Sequence, residues 1–244
     1  MNEHGIHSPF VFDFITKCLY KKVLNTKQIQ SITENRNSLL TNHNKINVTD
    51  FGAGSRVFKS NNRSISKIAK NAGISVKRGA LLYKIVQYIS ADEILEIGTS
   101  LGIATTYFSL ANSKAKIKTL EGCKETARTA IERFDTLKLN NIETIIGDFK
   151  DTLPKTLSNK KYDLIYFDGN HQKEATINYF EQCLKTVHNE TIFIFDDIHW
   201  SKSMEEAWCH ITSHPSVTIS IDTFQWGIVF FRKEQFKEHF IVRV

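Results

Sequence analysis

Apolar runs alternate with amphipathic stretches from about residue 77 to the C-terminus. Five of these runs have the length and composition of buried parallel strands: 93–97, 116–120, 142–146, 162–167 and 190–196. Between the runs, helical spacing is found over 102–112, 124–138, 150–157 and 172–187. Strands that alternate with helices predict an α/β fold built on a doubly wound, mostly parallel sheet.

The C-terminal part of the pattern differs from the rest. A predicted helix over 201–213 is followed by two apolar runs, 217–221 and 226–231, which only four residues join. A connection that short allows only antiparallel pairing, so the two runs are predicted to form a hairpin. With these two strands, the sheet is expected to have seven strands.

Residues 1–76 precede the alternating pattern and are predicted to form a mainly helical extension or cap. Phe10, Phe14 and Leu19 follow helical spacing after Pro9, which suits the first turn of a helix. Further helices of the extension are predicted over 27–40 and 62–70, and a helix over 79–90 opens the following unit. The chain is therefore divided into an extension, 1–76, and a second unit, 77–244.

A glycine-bearing turn, residues 98–102, follows the first predicted strand and opens a helix. Strand, tight turn and helix form the first unit of a nucleotide-binding sheet. Glycine lets a ligand approach the backbone, and the helix start offers free N–H groups. Two acids strengthen this interpretation. Glu96 lies inside the strand end, where a carboxylate is costly unless it has a partner. Glu121 follows the next strand, where a ribose-binding carboxylate is expected.

The segment Glu96-Ile97-Gly98-Thr99, with Gly102, resembles motif I of class I S-adenosylmethionine-dependent methyltransferases. It is most similar to the form in the cation-dependent O-methyltransferases of the catechol and caffeoyl-CoA type. That form also departs from the general motif at the position of Ser100. A nicotinamide cofactor is the alternative, but the G-x-G-x-x-G spacing is missing. The resemblance implies these cofactor-binding residues: Glu96, Gly98, Thr99, Ser100, Gly102, Glu121, Gly122, Asp148, Phe149 and Asp168.

Two further patterns compete with these assignments. The stretch Asp50-Phe51-Gly52-Ala53-Gly54 also resembles motif I, but no apolar helix face follows it. We interpret it as a loop turn, with contact to a substrate as the alternative. The resemblance implies that Asp148 contacts the adenine amino group, and capping of the next helix is the alternative.

Acidic residues end two neighbouring predicted strands. Asp168 follows the run at 162–167, and Asp196 and Asp197 end the run at 190–196. Parallel strands bring their carboxyl ends to one crevice, so these carboxylates are expected to converge. Such like charges need a cation or shifted pKa values, and carboxylates suit magnesium or a similar ion. The arrangement resembles the metal site of the same family, although Asp197 stands where Asn is usual. Alternatively, Asp196 or Asp197 caps the following helix.

Two histidines follow the same strand ends and are candidate bases. Imidazole titrates near neutral pH, so His171 and His199 are predicted to be catalytic together with Asp168. By resemblance, His171 stands where the family has a catalytic lysine.

Composition restricts the functional classes further. The 244 residues carry a net charge of +6, but Lys and Arg are spread along the chain, so a nucleic-acid partner is not expected. Four scattered cysteines without a C-x-x-C pair are typical of neither a disulfide framework nor a zinc site, and they fit a cytoplasmic protein. No apolar run has the length of a membrane span, and the first residues do not resemble a signal peptide.

The sequence predicts an S-adenosylmethionine-dependent methyltransferase that methylates the hydroxyl of a small molecule with help from a divalent metal. Three alternatives stay open: a metal-independent enzyme with a His base, a non-catalytic domain that binds nucleotide, and, with less support, methyl transfer to RNA. A homodimer is possible, and no membrane partner is expected.

Overall fold

The computed structural model describes residues 8–22, 27–52, 54 and 58–244. Two short strands of the N-terminal extension, β1 (Lys45–Asn47) and β2 (Asn62–Ser64), pair antiparallel. The remaining strands form one eight-stranded sheet: β3 (Glu93–Ile97), β4 (Lys116–Glu121), β5 (Ile142–Ile146), β6 (Leu164–Phe167), β7 (Ile192–Asp196), β8 (Ile219–Asp222), β9 (Trp226–Phe230) and β10 (Glu238–Ile241).

The strand order is β10-β8-β9-β7-β6-β3-β4-β5. All neighbours pair parallel except β9, which runs antiparallel to both β7 and β8. The predicted doubly wound sheet and its C-terminal hairpin are therefore confirmed. The predicted count of seven strands was wrong, because β10 adds an edge strand in which only Phe240 is buried.

Helices cover both faces of this sheet. Those described are α1 (Pro9–Asp13), α2 (Lys27–Thr41), α3 (Ile65–Asn71), α4 (Val76–Ile89), α5 (Ile103–Ala111), α6 (Lys124–Thr136), α7 (Phe149–Thr156), α8 (Lys173–Cys183) and α9 (Lys202–Ser213). A π-helical segment, Phe14–Leu19, continues α1. The helix predicted over 62–70 was wrong at its start, because residues 62–64 belong to β2.

The apolar core has two layers, one on each face of the sheet. In β6, Leu164 and Tyr166 face one layer, and Ile165 and Phe167 face the other. A strand that is buried on both faces reads as a continuous apolar run, which explains why the sequence predicts it well. Helices α2, α4 and α5 cover the first layer, and α7, α8 and α9 cover the second.

The extension packs against the sheet and shares its first core layer. The rings of Phe10 and Phe14 meet Phe230 of β9 edge-on, with centroids 5.2 and 5.1 Å apart. The N–H of Asn47 in β1 donates a hydrogen bond to the Glu125 carboxylate of α6 at 2.6 Å. Residues 1–7 of the predicted extension lie outside the described residues, and the division at residue 76 stays a prediction. Within the described ranges, no helix is long and apolar enough to cross a membrane.

Helices α4 and α5 approach closely at Gly79. A Cβ atom at this position would lie 2.1 Å from Cε2 of the Tyr107 ring, which is fully buried in α5. A glycine in a helix interior is ordinarily unfavourable, so its presence here reflects the space that the ring occupies.

We expect Gly79→Ala to lower the free energy of unfolding by about 1 kcal/mol, because overpacking costs about 2 kcal/mol in the middle of its usual range and helix propensity returns about 1 kcal/mol. Urea unfolding measures this difference. Gln87→Ala, at an exposed position of the same helix, is the matched control and should change stability by less than about 0.5 kcal/mol. An unchanged or raised stability of Gly79→Ala would contradict the tight packing.

Candidate functional site

A cavity of about 330 Å³ lies at the carboxyl ends of the parallel strands. The turn after β3 contributes Gly98 and Ser100, and β4 contributes Glu121. The ends of β6 and β7 contribute Asp168 and Asp196. Ligands of open α/β sheets bind in this crevice, so the cavity is the candidate site.

The turn after β3 is pressed against the end of β6. Gly98 has φ +110°, and a Cβ there would lie 2.3 Å from the carbonyl oxygen of Asp168. The N–H groups of Gly98 and Thr99 both donate to the carbonyl of Leu120, at 3.0 and 3.1 Å. Only glycine fits this position, and the turn is thereby fixed between β4 and β6.

Glu121 connects this turn to the end of β4. Its carboxylate accepts the N–H of Ser100 at 2.7 Å and the N–H of Cys123 at 2.9 Å. Burial raises the pKa of Glu121, and these backbone hydrogen bonds oppose that rise. Glu121 also lines the cavity. It therefore presents a carboxylate of fixed position to any ligand beside the turn.

Asp148 and Phe149 line the cavity at the start of α7. The side chain of Asp148 caps this helix by accepting the N–H of Lys150 at 3.0 Å. The capping alternative is thus realised, and contact between Asp148 and an adenine stays a prediction. The ring of Phe149 packs edge-on against Tyr179, 5.9 Å away between centroids.

Three predicted cofactor residues, Glu96, Thr99 and Gly102, are not among the described residues that line the cavity. Glu96 is fully buried, and its Oε2 accepts hydrogen bonds from Thr105 at 2.5 Å and Thr119 at 2.6 Å. Burial raises the pKa of Glu96 to about 8. Its Oε1 has no hydrogen-bond partner in the described part of the chain. Glu96 therefore joins β3 to α5 and β4, and its predicted contact with a cofactor stays a prediction.

The carboxylates at the ends of β6 and β7 converge as predicted. The register pairs Phe167 with Phe195, so Asp168 and Asp196 leave neighbouring strands together. Burial and the Asp196 carboxylate raise the pKa of Asp168 well above its usual range, whereas the Arg78 guanidinium lowers it. Burial and Asp196 likewise raise the pKa of Asp197.

Protein groups already occupy both oxygens of Asp196. Its Oδ1 accepts Nη2 of Arg78 and, at 2.9 Å, the N–H of Asp197. Its Oδ2 accepts the hydroxyl of Tyr166 at 3.0 Å. Within the described ranges, no group of three or more His, Cys, Asp or Glu side chains could hold a metal ion. The predicted ligands Asp168, Asp196 and Asp197 therefore do not fit a divalent cation in this arrangement.

The capping alternative for these acids was also wrong. Ser201 precedes α9, and its hydroxyl accepts the N–H of Met204 at 3.2 Å. Serine is a favoured residue at this position of a helix, so neither Asp196 nor Asp197 is needed there.

The two predicted bases have different surroundings. His171 lines the cavity, with Nε2 3.7 Å from Oδ1 of Asp168. His199 is not among the described residues that line it, because its ring lies between Asp222, 2.8 Å from Nε2, and Glu205, 3.2 Å from Nδ1. Burial would lower the pKa of His199, but hydrogen bonds to these two acids raise it overall. The structure places His199 outside the cavity, contrary to the prediction.

The N-terminal extension contributes part of the cavity wall, whereas the sequence offered contact with a substrate only as the alternative for the stretch at residues 50–54. Phe51 of this stretch lies so close to Gly122 that a Cβ on Gly122 would be 2.7 Å from the Phe51 ring. Phe58 and Ile74 add apolar surface to this wall. The signal was present in the Asp50-Phe51-Gly52 stretch, but only the fold brings it to the cavity. Arg78, one residue among several polar ones in α4, carried no comparable signal.

Comparison with known proteins identifies the class of this architecture. Residues 95–198 match the model of a family described as a methyltransferase domain. Over these residues the chain is similar to a methyltransferase domain. The resemblance predicted from the segment around Gly98 is thereby confirmed. The matched region spans the turn and the ends of β4 to β7, and therefore includes Glu121, Asp148, Asp168, Asp196 and Asp197.

A curated relative supports the same class. Over 129 residues the chain is 27% identical to catechol O-methyltransferase of Mycobacterium tuberculosis. This match covers 51% of the present chain and 56% of that protein, so it spans little more than half of the relative's length.

Two solved structures share the fold of this methyltransferase domain and its extension. A Podospora anserina methyltransferase with bound S-adenosylhomocysteine aligns with a TM-score of 0.65 at 14% identity, covering 93% of this chain and 97% of that one. An O-methyltransferase from Bacillus cereus in complex with S-adenosylhomocysteine aligns with a TM-score of 0.57 at 20% identity, covering 91% and 97%. At these identities the likeness shows the fold alone.

The buried Glu96 makes the stability of the methyltransferase domain depend on pH. Its pKa rises from 4.5 to about 8 on folding, so between these values the folded state binds the proton that the unfolded state has released. Stability therefore falls as pH rises through this window, by on the order of 1.4 kcal/mol per unit at most. We expect Glu96→Gln to remove this loss, so that its stability relative to wild type increases from pH 5 to pH 8.

Urea unfolding at both pH values measures the effect. Glu132→Gln, at an exposed position of α6, is the control and should follow the wild-type dependence on pH. Parallel curves for wild type and Glu96→Gln would show that Glu96 titrates normally in the folded protein.

Proposed function

We propose that this chain is an S-adenosylmethionine-dependent methyltransferase that methylates a hydroxyl group of a small molecule. The observation that carries the proposal is the cavity in which the Gly98 turn, the carboxylate of Glu121 and the imidazole of His171 line one space within a methyltransferase domain. Two proteins of similar fold, each solved with S-adenosylhomocysteine, support the choice of cofactor.

The residues of the cavity suit this cofactor chemically. Glu121 offers a carboxylate to ribose hydroxyls, and Phe149 offers an aromatic ring beside Asp148 for an adenine. Gly98 contributes only backbone to the cavity, because the Asp168 carbonyl fills the space that a Cβ would take. When bound, S-adenosylmethionine supplies a methyl group on a positively charged sulfur. Holding this group and a hydroxyl in line is a large part of the catalysis that we assign to the cavity.

His171 is the proposed general base. Its position in the cavity, beside Asp168, would let it accept the proton that the acceptor hydroxyl loses when the methyl carbon exchanges its bond to sulfur for one to this oxygen and a neutral thioether leaves. The Asp168 carboxylate, 3.7 Å from Nε2, would stabilise the resulting imidazolium. Because the contacts of Asp196 do not suit a divalent ion, they favour the metal-independent alternative over the metal-assisted one.

An aromatic hydroxyl compound is the acceptor class that we propose. The extension gives the cavity an apolar wall, which includes Phe51, Phe58 and Ile74. Such a surface suits a flat aromatic ring, and the Mycobacterium tuberculosis relative is named for catechol. A panel of catechols, phenols, sugars and RNA, assayed with S-adenosylmethionine that carries a labelled methyl group, tests this class. Homodimer formation and a cytoplasmic location remain predictions.

The cofactor assignment predicts that S-adenosylhomocysteine raises the melting temperature of the wild-type protein, because a ligand of the folded state stabilises it by mass action. We expect Glu121→Gln to weaken S-adenosylhomocysteine binding about 10–100-fold, the cost of one charge-assisted hydrogen bond. Calorimetric titration measures both affinities.

Gly54→Ala serves as the control for the second glycine motif. A methyl group there would meet no described atom within 4 Å, but φ is +76° and alanine is strained, so the affinity should change little once the variant is shown to be folded. Stabilisation by NAD with none from S-adenosylhomocysteine would refute the cofactor. A large loss in folded Gly54→Ala would instead assign the cofactor to the loop at residues 50–54.

The base assignment predicts that His171→Gln lowers the rate of methyl transfer about 10²–10⁴-fold while the affinity for S-adenosylhomocysteine is kept. His199→Gln is the matched control and should keep its activity, because that ring lies between Asp222 and Glu205. The best acceptor of the panel serves as substrate. Equal losses in both variants would remove His171 as the specific base, and no turnover by wild type on any acceptor would favour the non-catalytic alternative.

A further inference from the structure

We propose that the guanidinium of Arg78 is the resident cation of the carboxylate cluster, defined as Asp168, Asp196 and Asp197, so that the site works without a divalent ion. This inference rests on the proposed function and deepens it, because it concerns the same cavity. It assigns a positioning role to a residue of α4 that lies far from the cluster in sequence, 118 residues before Asp196.

The first turn of α4, where Arg78 lies, is an unfavourable place for a positive charge. Arg78 is the third residue of α4, and its N–H donates to the capping hydroxyl of Ser75 at 3.2 Å. A cation in the first turn faces the positive end of the helix dipole, which is unfavourable. The first turn of α4 also contains no acidic residue. The compensating negative charge must therefore come from outside the helix.

The carboxylate cluster supplies that charge. Nη2 of Arg78 is hydrogen-bonded to Oδ1 of Asp196, whose side chain is only 5% exposed. The guanidinium carbon also lies 5.4 Å from the centroid of the buried Trp226 ring. The Asp196 carboxylate and the Trp226 ring both contact the guanidinium of Arg78. Together they hold this planar group in place.

The field of Arg78 reaches the other members of the carboxylate cluster. Burial and repulsion from Asp196 disfavour the ionised forms of Asp168 and Asp197, and Arg78 favours them in both cases. Relief of repulsion between carboxylates is the task that a divalent cation would have at this place. One fixed guanidinium performs part of it here.

A divalent ion would have to displace these contacts. Such an ion takes about six oxygen ligands, but Asp196 already accepts Arg78 and the N–H of Asp197 on one oxygen and Tyr166 on the other. Displacing the guanidinium would leave a partly buried charge without its counterion, which is strongly destabilising. We therefore expect the site to keep the Arg78 guanidinium and not to bind a divalent cation.

Binding of Mn²⁺, followed by electron paramagnetic resonance, tests the inference without any turnover. We expect wild type to show no specific Mn²⁺ site in the millimolar range. Arg78→Ala should gain a single site with at least tenfold higher affinity, because the carboxylate cluster loses its cation. The double variant Arg78→Ala/Asp196→Asn should lose that site again. Arg128→Ala removes an exposed arginine of α6 and should behave as wild type.

Two results would overturn the inference. One is a stoichiometric Mn²⁺ site in wild type that disappears in Asp196→Asn, and the other is a folded Arg78→Ala that gains no site. If Arg78→Ala does not fold, the wild-type titration and its Asp196→Asn control decide alone. S-adenosylhomocysteine binding by wild type is measured in parallel. An absence of this binding would contradict the proposed function, whereas the Mn²⁺ result would still test the role of Arg78.

Discussion

The register between β3, β6 and β7 is the constraint on which the site depends. Hydrogen bonding aligns Ile97 with Phe167, and Phe167 with Phe195. The residues that follow, Gly98, Asp168 and Asp196, therefore reach the same edge of the sheet. A slip of one residue would turn every side chain of a strand to its other face. Such a slip would exchange the side chains that pack in the two apolar layers, so the packing that stabilises the fold also sets the spacing of the carboxylates.

Much of this arrangement could be predicted from the sequence because its causes are local or follow from topology. Strands such as β6 and β7 are buried on both faces, and their apolar runs are unambiguous. The turn at Gly98 has a short motif, since close approach to Asp168 excludes any side chain. The meeting of Asp168 with Asp196 needed only the rule that neighbouring parallel strands end together.

The remainder depends on contacts between distant residues, which no local pattern records. Glu96 resembles a ligand-binding acid in the motif, but its rotamer directs it to Thr105 and Thr119. His199 follows a strand end as His171 does, but its Nε2 is hydrogen-bonded to the carboxylate of Asp222. The partner of Asp196 comes from the first turn of α4. Edge strand β10 has a single buried residue, Phe240, which is too little for a periodic signal.

The close packing of Gly79 on Tyr107 has a consequence beyond stability. Helix α4 carries Arg78, and helix α5 begins directly after the turn that contains Gly98. The separation of these two helices therefore affects how far the Arg78 guanidinium lies from the Gly98 turn. Gly79, one residue beyond Arg78, lets α4 pack closely on Tyr107 of α5. The position of the Arg78 charge in the cavity therefore depends in part on a contact within the core.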